Sequence, residues 1–150
     1  MSHVASVDVE VRDLDALRAA ADRLGFEFRE GQRTYKWFGR FLNDWRSSRS
    51  AVSKGVDPAT FGTCDHALRI KGAGDSQYEV GVTAMPDGTY RLVYDSWSGG
   101  GQAIERLAGV DCVRLQGEVA AEQATRFAQR RGYRVQREDE GAVVRLVLKK

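Results

Sequence analysis

The feature that most constrains this chain is a change of hydrophobic period, made at both ends. From Val4 to Val11 the residues alternate, with Val7, Val9 and Val11 on one face and Asp8 and Glu10 on the other, as in a half-buried strand. Leu14, Leu17, Ala20, Ala21 and Leu24 then recur at spacings of three and four, which predicts an amphipathic helix. Asp13 is placed to cap its start and Gly25 to end it in a left-handed turn. The same switch, reversed in proportion, closes the chain. A longer helix is predicted from about Val113 to Arg131, with Leu115, Val119, Ala124, Phe127 and Ala128 on one face and Gly132 as its cap. Strands are predicted at both sides of a Glu138 to Gly141 turn, from Tyr133 to Arg137 and from Val143 to Leu148.

Between these ends, period two dominates. Phe26 to Arg29, Arg33 to Phe38, Ala67 to Lys71, Tyr78 to Thr83 and Thr89 to Tyr94 read as strands, the last two joined at Met85-Pro86-Asp87-Gly88. The sum is an α+β fold: an antiparallel sheet of about six or seven strands with two main helices on one face. The stretches Ala21 to Phe28 and Ala128 to Val135 share a plan of helix, glycine, aromatic and strand. Either a degenerate duplication makes pseudo-symmetric halves, or this joint is simply common.

A chain of 150 residues fits one domain, 1–150, with enough surface to bury a core of its own. Its 23 basic and 21 acidic residues leave a net charge of +2, so no global field draws it to nucleic acid or an anionic membrane. Two cysteines, Cys64 and Cys112, are too few for a disulfide framework. The first residues carry neither a basic nor an apolar run, and no stretch approaches 18 apolar residues, which places the protein in the cytoplasm, away from membranes, with free thiols.

Residues 39–63 break every period and form a long irregular loop, the kind of segment that often carries function. From Arg33 to Lys54 there are six basic residues and one acid, with Trp37, Phe38, Phe41 and Trp45 interleaved. Aromatics and arginine are what protein interfaces favour, so Trp37, Arg40, Phe41, Trp45 and Arg46 are the candidate partner-binding residues. Stacking rings among cations also suit single-stranded nucleic acid, the alternative for this stretch, and Arg126, Arg130, Arg131, Arg134 and Arg137 form a second basic set. The plain counterpart is an aromatic core under a loop with a solvated basic rim.

Two other constellations bear on chemistry. Ser98, Gly99, Gly100 and Gly101 read as a loop ahead of a short helix from Gln102 to Leu107, where backbone amides can hold a phosphate or nucleotide; the plain alternative is a turn that lets Trp97 pack. It matches no P-loop or dinucleotide fingerprint. His3, Cys64 and His66 are weak metal-ligand candidates without zinc-site spacing, and the expectation is no metal or other cofactor. Two residues apart in one strand, Cys64 and His66 would face the same way. No catalytic motif stands out, and with Ser98, Asp95 and Asp65 nearby no nucleophile elbow forms, so the chain reads as non-catalytic.

Certain blocks also carry a family resemblance: Met1-Ser2-His3, Asp13-Leu14, Leu24-Gly25, Tyr35-Lys36-Trp37-Phe38-Gly39-Arg40, Cys64-Asp65-His66-Ala67, Tyr78-Glu79-Val80-Gly81-Val82, Asp87-Gly88-Thr89-Tyr90, Asp95-Ser96-Trp97, Leu115-Gln116, Gly132-Tyr133 and Arg145-Leu146. Together they resemble the uncharacterised family catalogued as domain of unknown function twelve-fifty-seven, found in cyanobacteria, plastid genomes, bacteria and phages. Where that family often has a tyrosine after the Leu-Gln pair, this chain has Gly117, Glu118 and Val119. The resemblance implies no activity. The family's genes often neighbour those of ring-forming ATPases, which implies an accessory or adaptor that binds such a protein partner.

Overall fold

The computed structural model describes residues 4–37, 62–141 and 143–150. Strand β1 (Val4–Val11) leads into helix α1 (Leu14–Leu24) and strand β2 (Phe26–Arg29); after the segment 30–65 come β3 (His66–Ile70), β4 (Val80–Ala84) and β5 (Tyr90–Asp95). Helix α2 (Ser98–Ala108), a 3-10 turn (Val110–Cys112) and helix α3 (Val113–Arg130) follow, and strands β6 (Arg134–Glu140) and β7 (Val143–Lys149) end the chain.

Local chemistry sets the boundaries. The Asp13 carboxylate accepts the N–H groups of Asp15 (2.9 Å) and Ala16 (3.2 Å), satisfying two of the donors that a helix start leaves free. Gly25 ends α1 at φ 95°, a conformation that costs a residue with a Cβ. Between β4 and β5 the Met85 N–H donates to the Thr89 carbonyl, and Gly88 takes φ 84°.

All strand pairs are antiparallel, but they form two sheets. Five strands run in the order β1-β5-β4-β3-β2, and β6 pairs with β7 alone. This corrects the expected single sheet of six or seven strands. The chain turns at Gly132 and runs back along α3, where Arg137 of β6 grips Glu118 with two bonds of 2.8 Å. The hairpin is thus held by a helix rather than by a sheet edge. It also separates the two ends of the chain: Gly25 feeds the large sheet, and Gly132 feeds a separate ribbon.

One face of the large sheet carries the main core. Phe26, Leu68, Val80, Val82, Leu92 and Tyr94 meet Leu17, Ala20 and Ala21 of α1, Ile104 and Ala108 of α2, and Leu115 and Val119 of α3. Each Phe, Leu, Ile or Val side chain among them contributes about 1.5–3 kcal/mol by leaving water. The predicted stripe on α3 splits: Leu115, Val119 and Ala128 are buried, whereas Ala124 and Phe127 are exposed. Among the described residues no helix is long and apolar enough to cross a membrane.

The opposite face is covered too, by something the periodicity did not foretell. Residues 33–37 form no strand beyond one bridge between Thr34 and Thr63. Instead Tyr35 and Trp37 pack with Cys64, Ala67 and Val93 into a second, smaller core. Ala67, Gly81 and Val93 are register partners across β3, β4 and β5, and make a flat seat. A Cβ at Gly81 would lie 2.5 Å from the Tyr35 ring.

Candidate functional site

The second face of the sheet brings together three blocks that lie far apart in sequence: 32–37, 62–65 and 79–81. Their anchor is Glu79, which is 2 % exposed. A carboxylate buried this deeply needs donors. Gln32 Nε2 supplies bonds of 3.1 and 3.2 Å to its two oxygens, and the Lys36 backbone N–H a third of 3.0 Å. The Glu79 N–H in turn donates to the Lys36 carbonyl (2.9 Å). Burial of the adjacent Tyr35 pushes its phenol well above the usual range.

Beside this anchor lies a groove of about 600 Å³, lined by Arg29, Lys36, Arg69, Thr34, Thr63 and the rim of Trp37 among others. Arg29 from β2 and Arg69 from β3 face the same side of the sheet as Ala67, by the alternation of a strand. Lys36 and Arg69 are held on backbone carbonyls: Lys36 Nζ donates to Asp75 O and Arg69 Nη2 to Ala73 O, both at 2.8 Å. Both cations also lie 3.7 Å from one atom, Asp75 Oδ1. Asp75 is 97 % exposed, while Lys36 and Arg69 are only 18 and 23 % exposed. The groove therefore presents two partly desolvated cations to a single carboxylate oxygen that water reaches freely.

The expected partner-binding residues fare differently. Trp37 is 5 % exposed and belongs to the second core, so its ring is not available to a docking partner; Gly62 must lack a Cβ to admit it, since that atom would sit 2.6 Å from the indole nitrogen. Arg40, Phe41, Trp45 and Arg46 lie outside the described residues, as does His3. Of the second basic set, Arg137 is tied to Glu118 and Asp139, and Arg126 neighbours Glu122.

The glycine stretch is not a loop. Gly99, Gly100 and Gly101 form the first turn of α2. A Cβ at Gly100 would lie 2.6 Å from the Tyr78 ring, and one at Gly101 2.2 Å from the Ser96 backbone. These two glycines allow close packing. The fully buried Asp95, which accepts the Trp97 N–H (2.9 Å), already sets a carboxylate beside that helix start. An incoming anion would meet a like charge there, which argues against the anion-site expectation.

Cys64 and His66 also part company. Regular β3 begins at His66, so the alternation that would align them does not reach Cys64. Cys64 packs into the second core and donates to the Gln32 carbonyl at 3.1 Å. His66 lies by Phe28 and Tyr90 on the helical side, and its Nδ1 accepts the Gly31 N–H (3.0 Å). Burial pushes the Cys64 thiol up to about 12, so at neutral pH the free side chain is a protonated thiol. Among the described residues no group of three or more His, Cys, Asp or Glu side chains could hold a metal ion.

Gln32, Arg69, Asp75 and Glu79 are site residues that motif reasoning passed over. The one available signal was an acid next to Val80-Gly81-Val82, just ahead of β4. A scan of protein-family models finds no match to this chain, and no curated protein or solved structure matches it.

Proposed function

We propose that this protein is a non-catalytic binding module that docks an acidic segment of a protein partner in the groove between Lys36, Arg69 and Arg29. What supports this reading is the convergence of Lys36 and Arg69 on the Asp75 carboxylate. An exposed ion pair of this kind is worth only about 0–1 kcal/mol, so an external Asp or Glu can replace Asp75 at little cost. Arg40, Phe41, Trp45 and Arg46, which follow Lys36 and Trp37 closely in sequence, would extend the contact. A ring-forming ATPase is the partner class that the family resemblance implies, and membership of that family is part of the same proposal.

Single-stranded nucleic acid is less well served. Stacking needs exposed rings, and Tyr35 and Trp37 are both buried. The two readings separate in one titration. A fluorescein-labelled oligoglutamate peptide should bind at low salt, and a Lys36→Ala/Arg69→Ala variant with an unchanged melting temperature should lose most of that binding. Tighter binding of labelled oligothymidylate, lost in the same variant, would instead favour nucleic acid. If neither probe binds, the groove is not the site.

A further inference from the structure

Among the described residues, the last third of the chain leaves two surfaces uncovered by any other element. The first is the edge of β7. Among the described residues β7 pairs only with β6, and Val143 and Leu148 are 62 and 49 % exposed. A lone two-stranded ribbon is marginal in water, and the β7 edge, five apolar residues with Arg145 and Lys149 among them, offers its outward N–H and C=O groups to another strand. The second is a stripe along α3. Val113, Gly117, Ala120, Ala124 and Phe127 are all exposed and follow a four-three-four-three spacing, the seam of a helix pair.

The placement of these surfaces follows from the ion pairs. Glu118 of α3 receives Arg137 from β6 and Arg23 from α1, so β6 is the strand on the α1 side and β7 is the outer one. Arg23 also reaches Glu122, and Arg126 reaches the Asp15 carbonyl, so that side of α3 belongs to α1. At 100° per residue, the exposed stripe points away from α1, over the free edge of β7.

We propose that two copies of this chain join through a two-fold axis, with β7 pairing antiparallel to β7 of the second copy around Leu146 and the two α3 stripes in contact. Charge selects that register. Centred on Leu146, Arg145 faces Val147, Val143 faces Lys149, and Val144 faces Leu148, with no like charges opposed. Centred on Arg145, the two arginines oppose each other; centred on Val147, each Arg145 opposes Lys149. Shifts of one residue set the α3-side face of one strand against the outer face of the other. Within its own hairpin Arg145 is already neutralised by Glu138 and Glu140, so the pair carries no net repulsion at its centre.

Spacing supplies an independent check. In the resulting four-stranded ribbon the two hairpin centres lie two strand intervals apart, roughly 9.5 Å. Each α3 rides on its own hairpin, on the same side of the ribbon, so the helix axes come to that same separation. Helices with small contact residues pack at about 8–10 Å. Gly117, Ala120 and Ala124 in mid-stripe allow it, and Phe127 of each chain falls near Val113 of the other. The contact is isologous and therefore closes at two copies.

Sedimentation equilibrium at micromolar concentration tests the assembly, with a mass twice the 16.7 kDa of the chain expected. Ala120→Arg, an exposed helix position, should weaken the dimer about 100-fold or more, because it buries an unpaired charge at the seam. Gln102→Arg, exposed on α2 outside the stripe, should leave it intact. Register is read by oxidative cross-linking: a Val143→Cys/Lys149→Cys variant should form a covalent dimer, and Val143→Cys alone should not. The native Cys64 and Cys112 are buried and do not compete. A monomeric wild type, a dimer indifferent to Ala120→Arg, or cross-linking through Val143→Cys alone would overturn the proposal.

Discussion

Three consecutive glycines at the start of α2 have three different environments. Nothing lies within 4 Å of a Cβ built at Gly99, whereas Gly100 meets the Tyr78 ring and Gly101 meets backbone. Gly99→Ala should be neutral or raise the melting temperature slightly, since alanine is the better helix former by up to about 1 kcal/mol. Gly100→Ala and Gly101→Ala should each lower stability by about 1–3 kcal/mol through overpacking, with Gly101 the worse because backbone cannot swing aside. Thermal unfolding of the three variants checks this, and equal effects would show that the close contacts are not what selects glycine. At this scale the sequence announced a cluster of glycines and a turn; that they lie inside a helix against Tyr78 was not legible, because the contact bridges residues that no local pattern links.

At the scale of elements, the joint between α2 and α3 is under strain. Asp111 and Cys112 both adopt left-handed conformations, at φ 52° and 56°. Such conformations cost about 1–3 kcal/mol and persist only where the surroundings hold them. The holder is Tyr94 of β5. Its hydroxyl donates to Glu105 Oε1 (3.0 Å) and accepts the Asp111 N–H (3.1 Å), while Cys112 is fully buried below. Tyr94→Phe should destabilise the fold by about 1 kcal/mol, the net worth of the part-buried hydrogen bonds it removes, although it deletes only one oxygen. Chemical denaturation measures it; a loss of only a few tenths would mean that the turn holds itself. Sequence periodicity located α1, α3 and the β4–β5 hairpin, each a matter of local pattern and turn chemistry. It misread residues 33–37 as a strand because alternating Tyr35 and Trp37 satisfy the same period when they cover a sheet as when they join one.

For the whole molecule, the sheet carries a core on each face, and the ionisable groups buried there couple stability to pH. Burial pushes the thiols of Cys64 and Cys112 from the ordinary 9.0 up to about 12, and raises the phenols of Tyr35, Tyr78 and Tyr94. Between pH 9 and 12 the unfolded chain gives up thiol protons that the folded chain retains. The unfolded state then binds fewer protons, so stability falls as pH rises through that window. The melting temperature should decline steadily above pH 9, and less steeply in a Cys64→Ser/Cys112→Ser variant; a flat profile to pH 11 would contradict the burial of these groups.

By itself the sequence determined what depends on neighbours along the chain: the α+β class, the caps at Asp13 and Gly25, the turn at Gly88 and the amphipathic helices. Period and turn chemistry act over a few residues, and those are visible in one dimension. Only the tertiary structure decided that the strands divide into five and two, that Trp37 is core, that Cys64 and His66 face opposite ways, and that Lys36, Arg69 and Asp75 meet. Each of these depends on which distant surfaces exclude water from one another. That outcome depends on packing and buried hydrogen bonds such as those of Glu79, and no local pattern encodes it.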